Sequence, residues 1–232
     1  MKTIRLILTL SVFPLFSNAQ VGINTTTPTK DLDINGELRI RTAPNVVSST
    51  SLTVDVDGNV GKSNNYVLYD LLTIDATNPV TYTMPSTATQ TKNNLDLGMS
   101  QSITIPANKN AKVIVYYSVP LGTSNANTNT VDAYLGIRFL KNGLEAPEGS
   151  RKFSLLNRTG TTSFVMSYVT ATYTETFVPS ATPTNVTYAL NGYMEYFGTS
   201  PVPTFKFNMW QASDPNYNWG RATMSVQVFI KD

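Results

Sequence analysis

From Gln101 to its last residues the chain alternates apolar and polar side chains, and this period of two excludes a helical architecture for its larger half. In "AKVIVYYSV", Val113, Val115, Tyr117 and Val119 share one face of an extended strand. "AYLGIRFLKNG" places Leu135, Ile137 and Phe139 together, then reaches Asn142-Gly143, a pair that tolerates the positive φ angles of a tight turn. "SITIP", "FVMSYVTATYTETF" and "NVTYALNGYMEYF" continue the pattern. "FKFNMW" aligns Phe205, Phe207 and Met209, and "MSVQVFI" aligns Met224, Val226, Val228 and Ile230. Gly, Pro and Asn separate the runs. Strands with one apolar face need a second layer, so residues 101–232 read as an all-β antiparallel sandwich of about eight strands, the size of a jelly roll.

The other end of the chain reads as an export signal. Lys2 and Arg5 precede an apolar stretch from Leu6 to Phe16, and Ser17-Asn18-Ala19 offers small residues for cleavage after Ala19. That stretch is too short for a membrane span and contains Pro14. No later stretch could span a membrane as a helix, so the mature chain is expected to be soluble and exported, to the periplasm or the cell surface. Two of the seventeen Lys and Arg lie in the leader, which leaves fifteen of them against fifteen Asp and Glu. A mature chain of zero formal charge gives no electrostatic reason to expect nucleic acid as a partner.

What is missing narrows the chemistry. The chain has no Cys and no His. Disulfides, thiolate metal sites, Ser-His-Asp and Cys-His arrangements and the commonest general base are thereby removed. Carboxylate-only glycoside cleavage survives, but Glu145, Glu148, Glu175 and Glu195 are scattered and no spacing marks a pair. We expect no catalytic residues, no metal and no cofactor.

The segment between leader and sandwich carries a weak repeat. Leu32-Asp33-Ile34-Asn35-Gly36-Glu37-Leu38 aligns with Val54-Asp55-Val56-Asp57-Gly58-Asn59-Val60. Each copy is expected to be a tight hairpin turning at Asn-Gly or Asp-Gly. "DVDGN" lacks the spacing and the final Glu of a calcium loop, so a turn explains it better. An isolated hairpin is at best marginally stable in water, and these two must bury their apolar faces against something. "VGINTTTPTKDLDINGELRIR" resembles the start of exported bacterial fibre-like proteins and phage tail-fibre shafts, with Asn24 where their pattern has Gly. "SLTVDVDGNVGK" is similar to the element that follows there. The resemblance implies a trimeric shaft and brings no catalytic residues. In strand number and order, the C-terminal region resembles the jelly-roll heads of tumour-necrosis-factor-like and complement-type proteins, which again implies a homotrimer.

The expected organisation is a leader over 1–19, a β-hairpin shaft over 20–63, a linker over 64–100 and a jelly-roll head over 101–232. "PSTATQTKNNLDLGMS" in particular reads as loop. The densest cluster of candidate ligand-binding residues is "MWQASDPNYNWGR". Trp210 is expected opposite Phe205, Phe207 and Met209, on an outer face with Lys206 and Asn208, followed by Asp214, Asn216, Tyr217, Asn218 and Trp219 in a loop. Aromatic faces can pack on a sugar ring while Asn and Asp engage its hydroxyls; packing at a subunit interface is the competing explanation. "LKNGLEAPEGSRKF", with Glu145, Glu148, Arg151 and Lys152, is a second polar surface that a solvated turn would also explain. The expected role is an exported, non-enzymatic, trimeric fibre or adhesin-like protein whose head meets a glycan or cell-surface ligand. A monomeric carbohydrate-binding module is the alternative, with a carboxylate-only glycan-cleaving enzyme behind it.

Overall fold

The computed structural model describes residues 20–38, 52–62, 65–123, 133–155, 165–198, 202–212 and 220–231. The leader at 1–19 and the loop residues Asp214, Asn216, Tyr217, Asn218 and Trp219 lie outside them. The chain divides into two compact units, Met1–Val47 and Ser48–Asp232. Among the described residues there are strands and one 3-10 turn, and no helix long and apolar enough to cross a membrane.

In the first unit β1 (Val21–Ile23) and β2 (Leu32–Ile34) pair in parallel, Val21 opposite Leu32 and Ile23 opposite Ile34. This corrects the expected hairpin over Leu32–Leu38. Among the described residues the partner of β2 comes from upstream, not from across the Asn35-Gly36 turn. Local hydrogen bonds explain the preference: Asn35 N donates to Ile23 O at 3.0 Å, and Asn24 Nδ2 donates to Asn35 O at 2.8 Å. Asn24 has φ 57°, the left-handed conformation that Gly or Asn adopts most easily. The position where the fibre-like pattern has Gly is thus one where Asn is a conservative replacement.

The second copy of the repeat does form a hairpin. β3 (Leu52–Val54) and β4 (Val60–Lys62) pair antiparallel around a loop closed by Gly58 N donating to Asp55 O. Gly58 is left-handed at φ 84°, so the turn is a three-residue loop with a left-handed glycine and not the two-residue type the dipeptide suggested. The Asp55 carboxylate accepts from Asp57 N, Asn59 N and Asn59 Nδ2 at 2.8–3.0 Å. Its oxygens therefore serve the turn.

The jelly roll is built from two four-wide antiparallel sheets. In one, β5 (Val67–Asp75) lies beside β15 (Thr223–Lys231), then β8 (Asn110–Thr123), then β12 (Val165–Phe177). β14 (Thr204–Phe207) and β6 (Val80–Thr83) extend this sheet past the end of β15. In the other, β7 (Gln90–Ile105) pairs with β13 (Thr184–Tyr196), and β13 with β9 (Ala133–Lys141). The free side of β9 takes β10 (Leu144–Glu145) and β11 (Arg151–Ser154). The chain passes repeatedly between the sheets, from β6 to β7 to β8 to β9 and from β11 to β12 to β13 to β14. Each crossing binds the two layers into one core.

Alternation assigns the faces as expected. Val113, Val115, Tyr117 and Val119 of β8 are buried, as are Leu135, Ile137 and Phe139 of β9 and Met224, Val226, Val228 and Ile230 of β15. Asn142 and Gly143, at φ 50° and 81°, make the β9–β10 turn. The expected linker over 64–100 is corrected: it holds β5, β6 and the first part of β7, all within the sheets. Among the described residues β7 pairs only with β13, and as an edge strand it can carry Thr91, Asn93 and Asn94 outward to water, which disguised it as loop.

Burial of tyrosine gives this core a pH signature. Tyr117 and Tyr188 are fully buried, and loss of hydration pushes both hydroxyls well above the usual tyrosine range; for Tyr188 the hydrogen bond to Glu175 adds to it. The unfolded chain releases these protons from about pH 10 while the folded chain keeps them, so stability is present below that pH and lost above it. The chain has no histidine, the residue whose ordinary pKa lies nearest neutrality. The melting temperature should therefore be level from roughly pH 6 to 9 and fall steeply above about 10. A calorimetric pH series checks this; a level melting temperature through pH 11 would contradict the burial of these hydroxyls.

Candidate functional site

Trp210 does not form the open platform expected of it. Strand β14 ends at Phe207, and Asn208 at φ 71° breaks the alternation. The Asn208 side chain consequently points inward, where Nδ2 donates to Leu97 O at 2.7 Å and Oδ1 has no partner among the described residues. Met209 is buried as expected, but Trp210 is only 6% exposed. Lys206 lies over it, with Nζ 3.8 Å from the ring centroid and donating to Trp210 O at 3.1 Å. Burial lowers the Lys206 pKa. The expected pairing of Trp210 with Lys206 is present; the exposure of the ring and the outward Asn208 are corrected.

The second polar surface forms a concavity. After the Asn142-Gly143 turn, β10 returns Glu145 to the side of Arg138, and a 3-10 turn at Pro147–Gly149 leads into β11. In register, Arg151 lies opposite Ile137 and Lys152 opposite Gly136, while Tyr193 of β13 faces Gly136 from the other side. Gly136 is required here: a Cβ would lie 2.3 Å from Arg151 O and 2.6 Å from Lys152 Cβ. The result is an open groove of about 310 Å³ lined by Arg138, Glu145, Ser150, Arg151, Lys152 and Tyr193, with Asn93 and Ile137 completing it.

Two of its cations are held differently from the third. Arg138 is engaged on every side: Nε and Nη2 lie 2.9 and 2.8 Å from Glu145 Oε2, and Nη1 donates to Asn93 O at 2.7 Å and to Asn94 Oδ1. Ser150 Oγ donates to Glu145 Oε1 at 2.9 Å and accepts from Phe139 N, which fixes the wall. Among the described residues Arg151 instead donates only through Nη1, to Glu148 O and Ser150 O at 2.7 Å each. Lys152 Nζ rests 5.2 and 5.3 Å from the ring centroids of Tyr134 and Tyr193. Among the described residues neither has a carboxylate partner. Tyr193 donates to Glu195 Oε2 at 2.6 Å; burial first, then that bond, push its hydroxyl up to about 12.

Glu145, Arg151 and Lys152 are thus brought together as the sequence suggested, whereas Glu148 contributes a backbone carbonyl and no groove surface. Asn93, Arg138 and Tyr193 escaped sequence reasoning. A signal for two of them existed: Arg138 and Tyr193 occupy outward positions of alternating strands, where a charge and an aromatic must meet something other than core.

No protein-family model matches the chain, and no curated protein does. Among solved structures it is similar to an infectious bursal disease virus Gx strain structure at 9% identity and TM-score 0.27, with 78% of this chain and 42% of that one covered. The VP2 subviral particle of the same virus aligns at 12% identity and TM-score 0.26, covering 78% and 45%. Dimeric latent PorU from Porphyromonas gingivalis aligns at 10% identity and TM-score 0.22, covering 68% and 13%. The chain spans less than half the length of each of these proteins.

Proposed function

We propose that this chain is an exported, non-enzymatic structural protein of fibre or adhesin type, which assembles as a homotrimer and presents its jelly roll as a binding head. The exposed apolar residues of the small N-terminal strands carry this reading. Val21 is 54% exposed and Leu32 57% in the parallel pair, and Leu52 is 72% and Val54 66% exposed in the hairpin. Two-stranded units with their apolar side chains in water are marginal alone and gain stability by burying them against copies of themselves.

The jelly roll supports the same reading. Its six-stranded sheet leaves Leu68, Leu71, Tyr116 and Tyr168 exposed, on the same sheet as the exposed Thr170, Thr172 and Thr174 of β12. Exposed apolar side chains on a sheet face suit contact between like copies.

Light scattering on residues 20–232 should return three times the chain mass, and a shortened chain beginning at Asn65 should fall to one. Trimers in both cases would assign assembly to the jelly roll. A single chain mass in both cases would overturn the trimer and favour a monomeric carbohydrate-binding module.

A further inference from the structure

We propose that the groove between β11 and β13 binds an acidic saccharide, with the carboxylate of a uronic-acid-type residue held by Arg151 and Lys152 and the sugar ring against Tyr193. The inference deepens the reading of the jelly roll as a binding head and rests on it. Charge is the first argument. The lining holds Arg138, Arg151 and Lys152 against Glu145, with the Glu195 carboxylate on the Tyr193 hydroxyl beside it, so cations outnumber carboxylates in one concavity of a chain whose mature charge is formally zero.

Geometry is the second. Nη1 of Arg151 is anchored on two backbone carbonyls, and among the described residues its Nε and Nη2 make no hydrogen bond. A guanidinium held in this way meets a planar carboxylate with little further loss of freedom. The Lys152 ammonium is steadied over the gap between two tyrosine rings, a second cation fixed beside the first. Between Lys152 and Tyr193 lies Gly136, whose missing side chain admits the β11 backbone and so holds Lys152 close against the sheet.

The same features favour a saccharide over an acidic peptide. Extended peptides are commonly taken up by adding a strand to a free sheet edge. This groove lies on a sheet face where β9 is paired on both sides, so it offers side chains and no open ladder. An aromatic face beside cations and a polar Asn93 suits a ring with C–H faces and hydroxyls.

The test is calorimetric titration of the full mature chain with four probes: oligogalacturonate, its methyl ester, a dextran sulfate oligosaccharide and a glutamate hexapeptide. Oligogalacturonate should bind, and the methyl ester, which lacks the charge, should bind roughly tenfold or more weakly. Arg151→Ala with Lys152→Ala should weaken oligogalacturonate by a similar factor without changing mass or melt, whereas Lys62→Ala should leave binding intact. Equal binding of the ester, equal binding by the double variant, or no binding of oligogalacturonate would overturn the site. Tighter binding of the sulfate or the peptide would overturn the ligand class, and loss on Trp219→Ala with the groove variant unaffected would place the ligand elsewhere. Light scattering on the same samples separates these results from a failure of assembly: a trimer that binds nothing sinks only the groove, while a monomer that binds sinks only the trimer.

Discussion

Phe139→Ala should lower the stability of the jelly roll by about 3–5 kcal/mol, read as a shift in the urea midpoint with the slope of the transition unchanged. Phe139 is fully buried at the meeting point of both sheets. Its ring centroid lies 4.8 Å from that of Tyr173, 5.7 Å from Tyr188 and 6.2 Å from Tyr117. The 3-10 turn closes the cluster: a Cβ on Gly149 would stand 2.5 Å from the Phe139 ring, so backbone lies against the ring face. Three rigid rings and a backbone segment cannot collapse into the space that the ring leaves, which places this site toward the costly end of large-to-small substitutions. Tyr117→Phe is the comparison. It keeps the ring and removes only the hydrogen bond to Gly149 O at 2.7 Å, for about 1 kcal/mol. A Phe139→Ala loss no larger than the Tyr117→Phe loss would mean that the cluster does not hold the two sheets together.

That cluster also shows what was legible beforehand. Phe139 and Tyr117 announce themselves by period-two alternation, which depends only on which face of a strand a residue occupies. Nothing in the sequence says that the two face one another, because strand order is set by long-range pairing. The same limit explains the linker that proved to be sheet. Residues 90–94 at the start of β7 are polar because they lie on an edge, although Leu95, Leu97 and Met99 farther along are buried or half-buried as in any core strand. The parallel β1–β2 pair was illegible for another reason: Asn35-Gly36 is a good turn dipeptide, but an upstream strand competes for β2 and wins through the Asn24 and Asn35 hydrogen bonds. At the candidate site, composition pointed to Trp210 because large aromatics on a polar face draw attention. One left-handed residue, Asn208, was enough to put that ring under Lys206. The groove was half visible in Glu145, Arg151 and Lys152. Its other half, Arg138 and Tyr193, is brought in by the register of β9 with its two neighbours.

Glu175→Ala should be the most damaging change of a single polar residue, because Glu175 reaches from β12 across the sandwich to β9 and β13. Its carboxylate accepts from the Tyr188 hydroxyl and pairs with Lys141 Nζ, and its side chain is only 13% exposed. Removing it leaves the Tyr188 hydroxyl without this partner inside the core, at a cost of about 1–3 kcal/mol. Lys141 adds less, since its side chain is one-third exposed and its ammonium keeps the Phe177 ring at 5.1 Å. Tyr188→Phe alone should cost about 1 kcal/mol or less, because the carboxylate retains Lys141. Glu175→Leu combined with Tyr188→Phe should cost less than the sum of the single changes, since no stranded hydroxyl remains. The double change then separates this network from simple packing: a combined cost equal to the sum of the single costs would show that Glu175 acts by volume alone, and that no shared hydrogen bond ties the sheets together.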